Sequence, residues 1–374
     1  MTKKESVLKF FLLGLCACAL VFSLAKPALA AEAAFTALSL CARRVVPGVF
    51  LFMAAAKFFA GCGAARAFSR FTHGALERLF RVSAGGAAVI FLGLLSGYPT
   101  GAAVAVELIK RGDLSAREAE RILPFATAAS PAFLVASVGA MCGGAGFGFA
   151  MLFSQLASAL MLLFLTRPKA PARTSGQGTH AQIRPLSVFT AAIKESGAAA
   201  LNICSFVTFF YVFSAMLSSF LPPALAGGAL GALTAGICEI SCGFARLGGA
   251  AQGLWRFFLG GLMLGFAGFS VLLQSADAVG TEEVSMKKYL LGKAVQALLT
   301  GVFAVIFGAV SFFFGAKETF FFFGALQAEI SAIWQTCLLF FAFCLLLVPL
   351  LIFIIKFFIL FKKIFKKLWK KSNL

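Results

Sequence analysis

The stretch from Phe91 to Gly101, FLGLLSGYPTG, constrains this chain more than any other. An apolar run from Ala87 to Leu95 meets Ser96-Gly97-Tyr98-Pro99-Thr100-Gly101, and apolar sequence then resumes to Ile109. Glycine destabilises a helix through backbone entropy; proline removes a donor and clashes with the preceding turn. In lipid the backbone groups freed by such a break need partners, so a break persists only inside protein or beside a polar cavity. Transporters place substrates there, because half-helix ends present dipoles and unpaired backbone groups. The alternative is a kinked, well-packed helix without a ligand. The hydroxyls of Ser96, Tyr98 and Thr100 favour the functional break.

The setting is a membrane. Of 374 residues, 61% are hydrophobic and 13% charged, against about 25% charged in soluble domains. Mean hydropathy is +0.96. The expected fold is all-α and polytopic. The formal net charge of +19 sits beside apolar runs, so positive-inside anchoring explains it, with membrane lipid rather than nucleic acid as the partner. Most of the 10 cysteines lie in apolar runs and none forms a CxxC pair. With only His73 and His180 beside them, no Cys/His metal site and no cofactor are expected. No HExxH, GxSxG or Walker motif is present, so an enzyme is not expected.

Residues 1–30 read as a signal-anchor first span, or as a signal peptide cleaved after Ala28-Leu29-Ala30. Residues 31–165 form a first membrane half containing the SGYPTG break. Within it, 31–42 reads as a short interfacial helix ended by Arg43-Arg44, followed by a span from Val45 to Cys62. Lys57 in that span either snorkels or faces a cavity. Residues 64–82 form a basic loop, and the capping-box spacing of Ser115 and Glu118 starts a helix near Ala116. A second break follows at Thr127-Ala128-Ala129-Ser130-Pro131. Residues 166–186 are a polar linker.

Residues 187–314 form the second half, with a break at Glu239-Ile-Ser-Cys-Gly243, and 315–374 hold a last span and a lysine-rich amphipathic tail. Both termini read as cytoplasmic. The crossings then close only with a re-entrant element, expected between Ile122 and Gly148.

The halves correspond. The segment from Gly93 to Gly101 aligns with Gly236 to Gly243, and Ala129-Ser130-Pro131 with Gly268-Phe269-Ser270. Paired discontinuities of this kind mark transporters built from inverted repeats. Glu239 stands out, because an acid in an apolar segment needs a cavity or a partner. It either binds a polar or cationic ligand or ion, or pairs with Arg246. Gln274 forms a helix–helix hydrogen bond or meets a ligand. Glu107 pairs with Lys110 or Arg111. The candidate substrate-binding set is Ser96, Gly97, Tyr98, Pro99, Thr100, Gly101, Ser130, Pro131, Glu239, Ser270 and Gln274.

SGYPTGA at 96–102, FATAASPAF at 125–133, GICEISCG at 236–243 and GFAGFSVLLQ at 265–274 occur in this order. The chain thereby resembles the sporulation integral membrane proteins of the YlbJ type, within the nucleoside-recognition or Gate domain family. The resemblance covers about residues 8–310. It implies Gate-like halves, a transporter-like fold and a role in formation of the endospore cortex. Two functions are therefore expected: a transporter of a small solute or ion, or a non-transporting scaffold for envelope assembly, with a Gate-like channel subunit as a variant. A homo-oligomer is compatible with either.

Overall fold

A computed structural model describes residues 3–62, 79–168, 184–280 and 284–313. The linker centre, most of the 64–82 loop, and the last span with its lysine tail lie outside the described residues. The protein is all-α, and no strand occurs among the described residues.

The amino-terminal region forms α1 (Lys3–Ala25), which bends by 114° into α2 (Pro27–Leu40). Arg43-Arg44 do not end that helix. They sit exposed in a π-helical turn, Cys41–Val45, which carries α2 directly into α3 (Val46–Gly61). Charged side chains on the exposed side of the turn leave its backbone ladder intact, so they mark no boundary.

Two short helices follow, α4 (Ala84–Ser96) and α5 (Thr100–Lys110), then α6 (Ala116–Ala126). Ser115 Oγ accepts the Glu118 amide at 3.3 Å, as its spacing predicts. The Glu118 carboxylate, however, reaches across to the Ser83 amide at 2.7 Å and ties α6 to the start of α4. A π-helical turn, Phe133–Val138, runs into Gly139–Met141 as α7, and α8 (Ala145–Leu165) ends this half.

The second half opens with α9 (Pro185–Phe220). The mixed segment after the linker and the span after it are one helix, about 54 Å long at 1.5 Å per residue. Lys194 and Glu195 face its periphery, where Lys57 of α3 pairs with Glu195 at 2.9 Å. Then come α10 (Gly228–Cys238), α11 (Ile240–Ala250), α12 (Gly253–Phe266), α13 (Gly268–Val279) and α14 (Met286–Phe313).

Four helical stretches are long and apolar enough to cross a membrane: α8, α9, the joined α12–α13 and α14; the bent Leu12–Ala25 and Pro27–Val45 pair would make a fifth. The chain is a polytopic integral membrane protein. In contrast, α4, α5, α10 and α11 are each about 16–20 Å long, short of a hydrocarbon core of about 30 Å. They pair as two helical hairpins. In the first, a Cβ on Gly93 would lie 3.1 Å from the Gly101 Cα. In the second, a Cβ on Gly236 would lie 3.4 Å from the Gly243 Cα. The glycines bracketing each break are thus the contact between its two arms.

Helix α14 is the central pillar. Gly261 and Gly265 of α12 press on its backbone, where a Cβ would meet Thr300 O at 2.6 Å and the Ala297 Cα at 2.5 Å. This is small-residue packing of the kind that replaces the hydrophobic driving force inside lipid. Gly292 of α14 lies against Pro124 of α6, and Thr300 Oγ1 bonds Ser158 Oγ of α8 at 2.8 Å.

Candidate functional site

The tip of the first hairpin is Gly97-Tyr98-Pro99. Gly97 has φ +84°, which side chains rarely adopt, and a Cβ there would lie 3.0 Å from the Ser130 amide nitrogen. The tip is therefore pressed against the second break of its own half. Ser96 Oγ turns back to Leu92 O at 2.5 Å and is spent on its own helix. Tyr98 reaches into the other half, where its hydroxyl donates to Leu264 O at 3.2 Å. That carbonyl would accept from residue 268 in a continuous helix. The break at Ala267 (φ 73°) and Gly268 (φ 80°) leaves it open, and Tyr98 fills the vacancy.

The second break, Thr127 to Pro131, is held by two other helices. Gln155 of α8 clamps the backbone of one residue: its Oε1 accepts from Ala129 N and its Nε2 donates to Ala129 O, both at 2.9 Å. Lys293 of α14 donates to Thr127 O at 2.5 Å and to Gln296 Oε1 at 3.2 Å. The Thr127 hydroxyl donates to Leu123 O and lies 3.0 Å from the Tyr289 hydroxyl. Ser130 Oγ accepts from Phe133 N at 3.2 Å and caps the next helix. Lys293 is 0% exposed, and its ammonium sits 5.5 Å from the Tyr98 ring centroid.

In the second half the tip is Glu239, 1% exposed, with extended backbone between α10 and α11. Its Oε2 accepts from Cys242 N at 2.8 Å, so the carboxylate caps α11 and complements that helix's positive end. Arg246 does not pair with it. The guanidinium donates instead to Ser218 Oγ of α9 at 2.6 Å. Cys238 and Cys242 fall on either side of the break, on different helices. A Cβ on Gly268 would lie 2.9 Å from Gly236 O and 3.5 Å from Cys238 O. The α12–α13 break therefore abuts the second tip, as Ser130 abuts the first. Gln274 Nε2 donates to Ser270 Oγ at 3.1 Å within α13. Glu107 pairs with Arg111 at 2.6 Å.

A cavity of about 50 Å³ lies between the tips. Gly97, Tyr98, Ala129, Ser130, Glu239, Ser241 and Gln274 line it from the breaks and their flanks, though its surface is mostly apolar. Val45, Val49, Phe133, Ile203, Val207, Ile240 and Val271 line the rest. Of the residues expected at a site, Gly97, Tyr98, Ser130, Glu239 and Gln274 come together. Ser96, Pro99, Thr100, Gly101, Pro131 and Ser270 do not line the cavity. Thr100 and Gly101 lie in the first turn of α5, where Gly101 is packed against Ala126 O, and Ser270 supports Gln274. Linear reading passes over Lys293, Gln296, Tyr289 and Gln155. The available signal is that each is a polar side chain in an otherwise apolar span.

In sequence, 26% identity over 317 residues links this chain to "Sporulation integral membrane protein YlbJ" of Bacillus subtilis (strain 168), spanning 74% of this chain and 76% of that protein. The relationship is of the YlbJ type. No family model and no solved structure matches. The YlbJ-type relationship rests on sequence, and the cavity geometry stands beside it independently.

Proposed function

We propose that this chain is a transporter-like protein of spore formation that binds and moves a small solute or ion through the cavity between its two hairpin tips. One observation carries the reading. Two helix hairpins too short to cross the membrane bring their tips, Tyr98 and Glu239, to the wall of one shared cavity. Each tip touches the break of the broken helix in its own half, Gly97 at Ser130 and Gly236–Cys238 at Gly268. We read the halves as two related units, in keeping with the Gate-like organisation that the sequence resemblance implies. A cavity of about 50 Å³ accommodates an ion or a few waters. A larger solute requires the tips to separate, so this arrangement is the closed state of the path. The sporulation role follows the printed name of the relative.

The test is a thermal-shift screen of purified protein, wild type beside Glu239→Gln, against nucleosides, amino sugars, small carboxylates and simple ions. The glutamine keeps an oxygen for Cys242 N, so folding is retained while the charge is lost. A ligand at 100 times its Kd stabilises by about 2.7 kcal/mol. Stabilisation of wild type that is lost in the variant supports binding at this site. No response from any ligand, with equal melting of both proteins, moves the assignment to a membrane scaffold.

A further inference from the structure

The first-half break contains a feature that solute binding does not require. Lys293 is fully buried at the centre of the bundle. No aspartate or glutamate lies within 4 Å of its ammonium among the described residues; its partners are Thr127 O, Gln296 Oε1 and the Tyr98 ring. A carbonyl released by a helix break, an amide oxygen and an aromatic face form an oxygen-and-π shell for a monovalent cation. An ionisable side chain buried at this depth in a span marks a functional position, and here oxygen and aromatic groups stand where water would otherwise meet the ammonium.

The polar and titratable groups on α14 near Lys293 and on the elements packed against that helix each have a partner or a packing role of their own. Helix α14 itself supplies Tyr289, which bonds Thr127, and Gln296. The first hairpin supplies Tyr98, α8 supplies Ser158 to Thr300, and α12 supplies the glycines Gly261 and Gly265. Helix α6 supplies Glu120, which is bound to Lys288 at 2.8 Å.

We propose that Lys293 is a tethered cation occupying a monovalent-cation position at the Thr127–Pro131 break, filled and vacated by a proton rather than by a free metal ion. Building on the transporter reading, this makes the proton the coupling ion. With the ammonium protonated, the break is pinned to α14 and the Tyr98 tip is held beneath it. Loss of the proton weakens the hold on Thr127 O and frees the tip to move.

The experiment uses the full chain in detergent. Lys293→Ala removes a propylammonium equivalent, so n-propylammonium chloride is titrated against n-propanol and choline chloride at constant ionic strength. The expected result is a saturable rise in melting temperature of several degrees for the variant with propylammonium, absent with propanol or choline and absent in wild type. A folded variant that responds equally to propylammonium and propanol, or to neither, overturns the cation site. A second measurement needs only the wild type: hydrogen-exchange protection at residues 127–133, relative to α8, between about pH 6 and pH 9. The proposal expects that protection to fall as pH rises; protection independent of pH overturns the proton control. Neither arm uses a transported solute. A cation site with pH-dependent protection, in a protein that binds no solute, therefore refutes the transporter reading and leaves the site standing.

Discussion

Replacing Gln155 tests whether the Thr127–Pro131 break is held by hydrogen bonds or by packing. The Gln155 side chain is fully buried and bonds both backbone polar groups of Ala129 at 2.9 Å. Gln155→Leu keeps most of the volume and removes both bonds. Two buried backbone groups left without partners cost about 1–3 kcal/mol each, so the change costs about 2–6 kcal/mol. Interhelical bonds in membranes average only about 0.6 kcal/mol, because the unfolded chain in lipid finds other partners. The Ala129 groups sit at the higher end, since the break has removed their helical partners. Gln155→Ala separates the two causes. If packing dominates, alanine is the worse substitution, because it leaves a cavity. If hydrogen bonding dominates, leucine is worse: alanine opens room for a water to bridge Ala129 N and O, while leucine fills that room with methyl groups. The assay is equilibrium unfolding in mixed micelles, followed by helicity, with lipid-facing Leu160→Ala as a control expected within about 0.5 kcal/mol. A leucine variant within about 1 kcal/mol of wild type, or an alanine variant less stable than the leucine one, refutes the clamp.

Three further outcomes follow from the same geometry. Gly97→Ala places a Cβ at φ +84° and 3.0 Å from Ser130 N, and should cost about 1–3 kcal/mol and loosen the tip, read as new protease or labelling access at residues 96–100. Gly265→Val drives side-chain atoms into the α14 backbone, where even a Cβ would lie 2.5 Å from the Ala297 Cα, and should abolish the monodisperse folded species on size exclusion. By contrast, Lys57→Ala breaks an ion pair whose Glu195 partner is 63% exposed, and should shift the unfolding free energy by less than about 1 kcal/mol.

Much of the architecture is legible from the chain. The apolar runs give the helices, and glycine and proline give the breaks at 97–99 and 127–131. Aligning the segment from Gly93 to Gly101 with that from Gly236 to Gly243 anticipates the pairs that touch across each hairpin. Two boundaries are not legible. Arg43-Arg44 read as a terminus, yet the helix passes through them, because charge on an exposed face says nothing about the hydrogen-bond ladder within. Lys194 and Glu195 interrupt hydropathy without interrupting α9, because they lie on its periphery and Glu195 meets Lys57.

The site is legible on one side only. Sequence marks where backbone is broken, and Gly97, Tyr98, Ser130, Glu239 and Gln274 all come from breaks or their flanks. It does not mark what repairs a break, because the repairing side chains lie far along the chain: Gln155 is 26 positions from Ala129, and Lys293 is 166 positions from Thr127. Lys293 is further disguised by Lys287 and Lys288, which make it read as one more topogenic charge at the foot of a span. A conservation rule for hydrogen bonds recovers these residues. Every break inside lipid frees amides or carbonyls that water cannot reach, so each must be matched by a polar side chain, either at the break itself, as by Glu239 and Ser130, or in some other span. Gln155, Lys293 and the Tyr98 hydroxyl each take such a group. Serine and threonine mostly return to their own helix, as Ser96, Ser154 and Thr166 do. The long-armed polar residues of the spans are therefore the ones to pair with the breaks, and Lys293 is the one among them that carries a charge to the break it repairs.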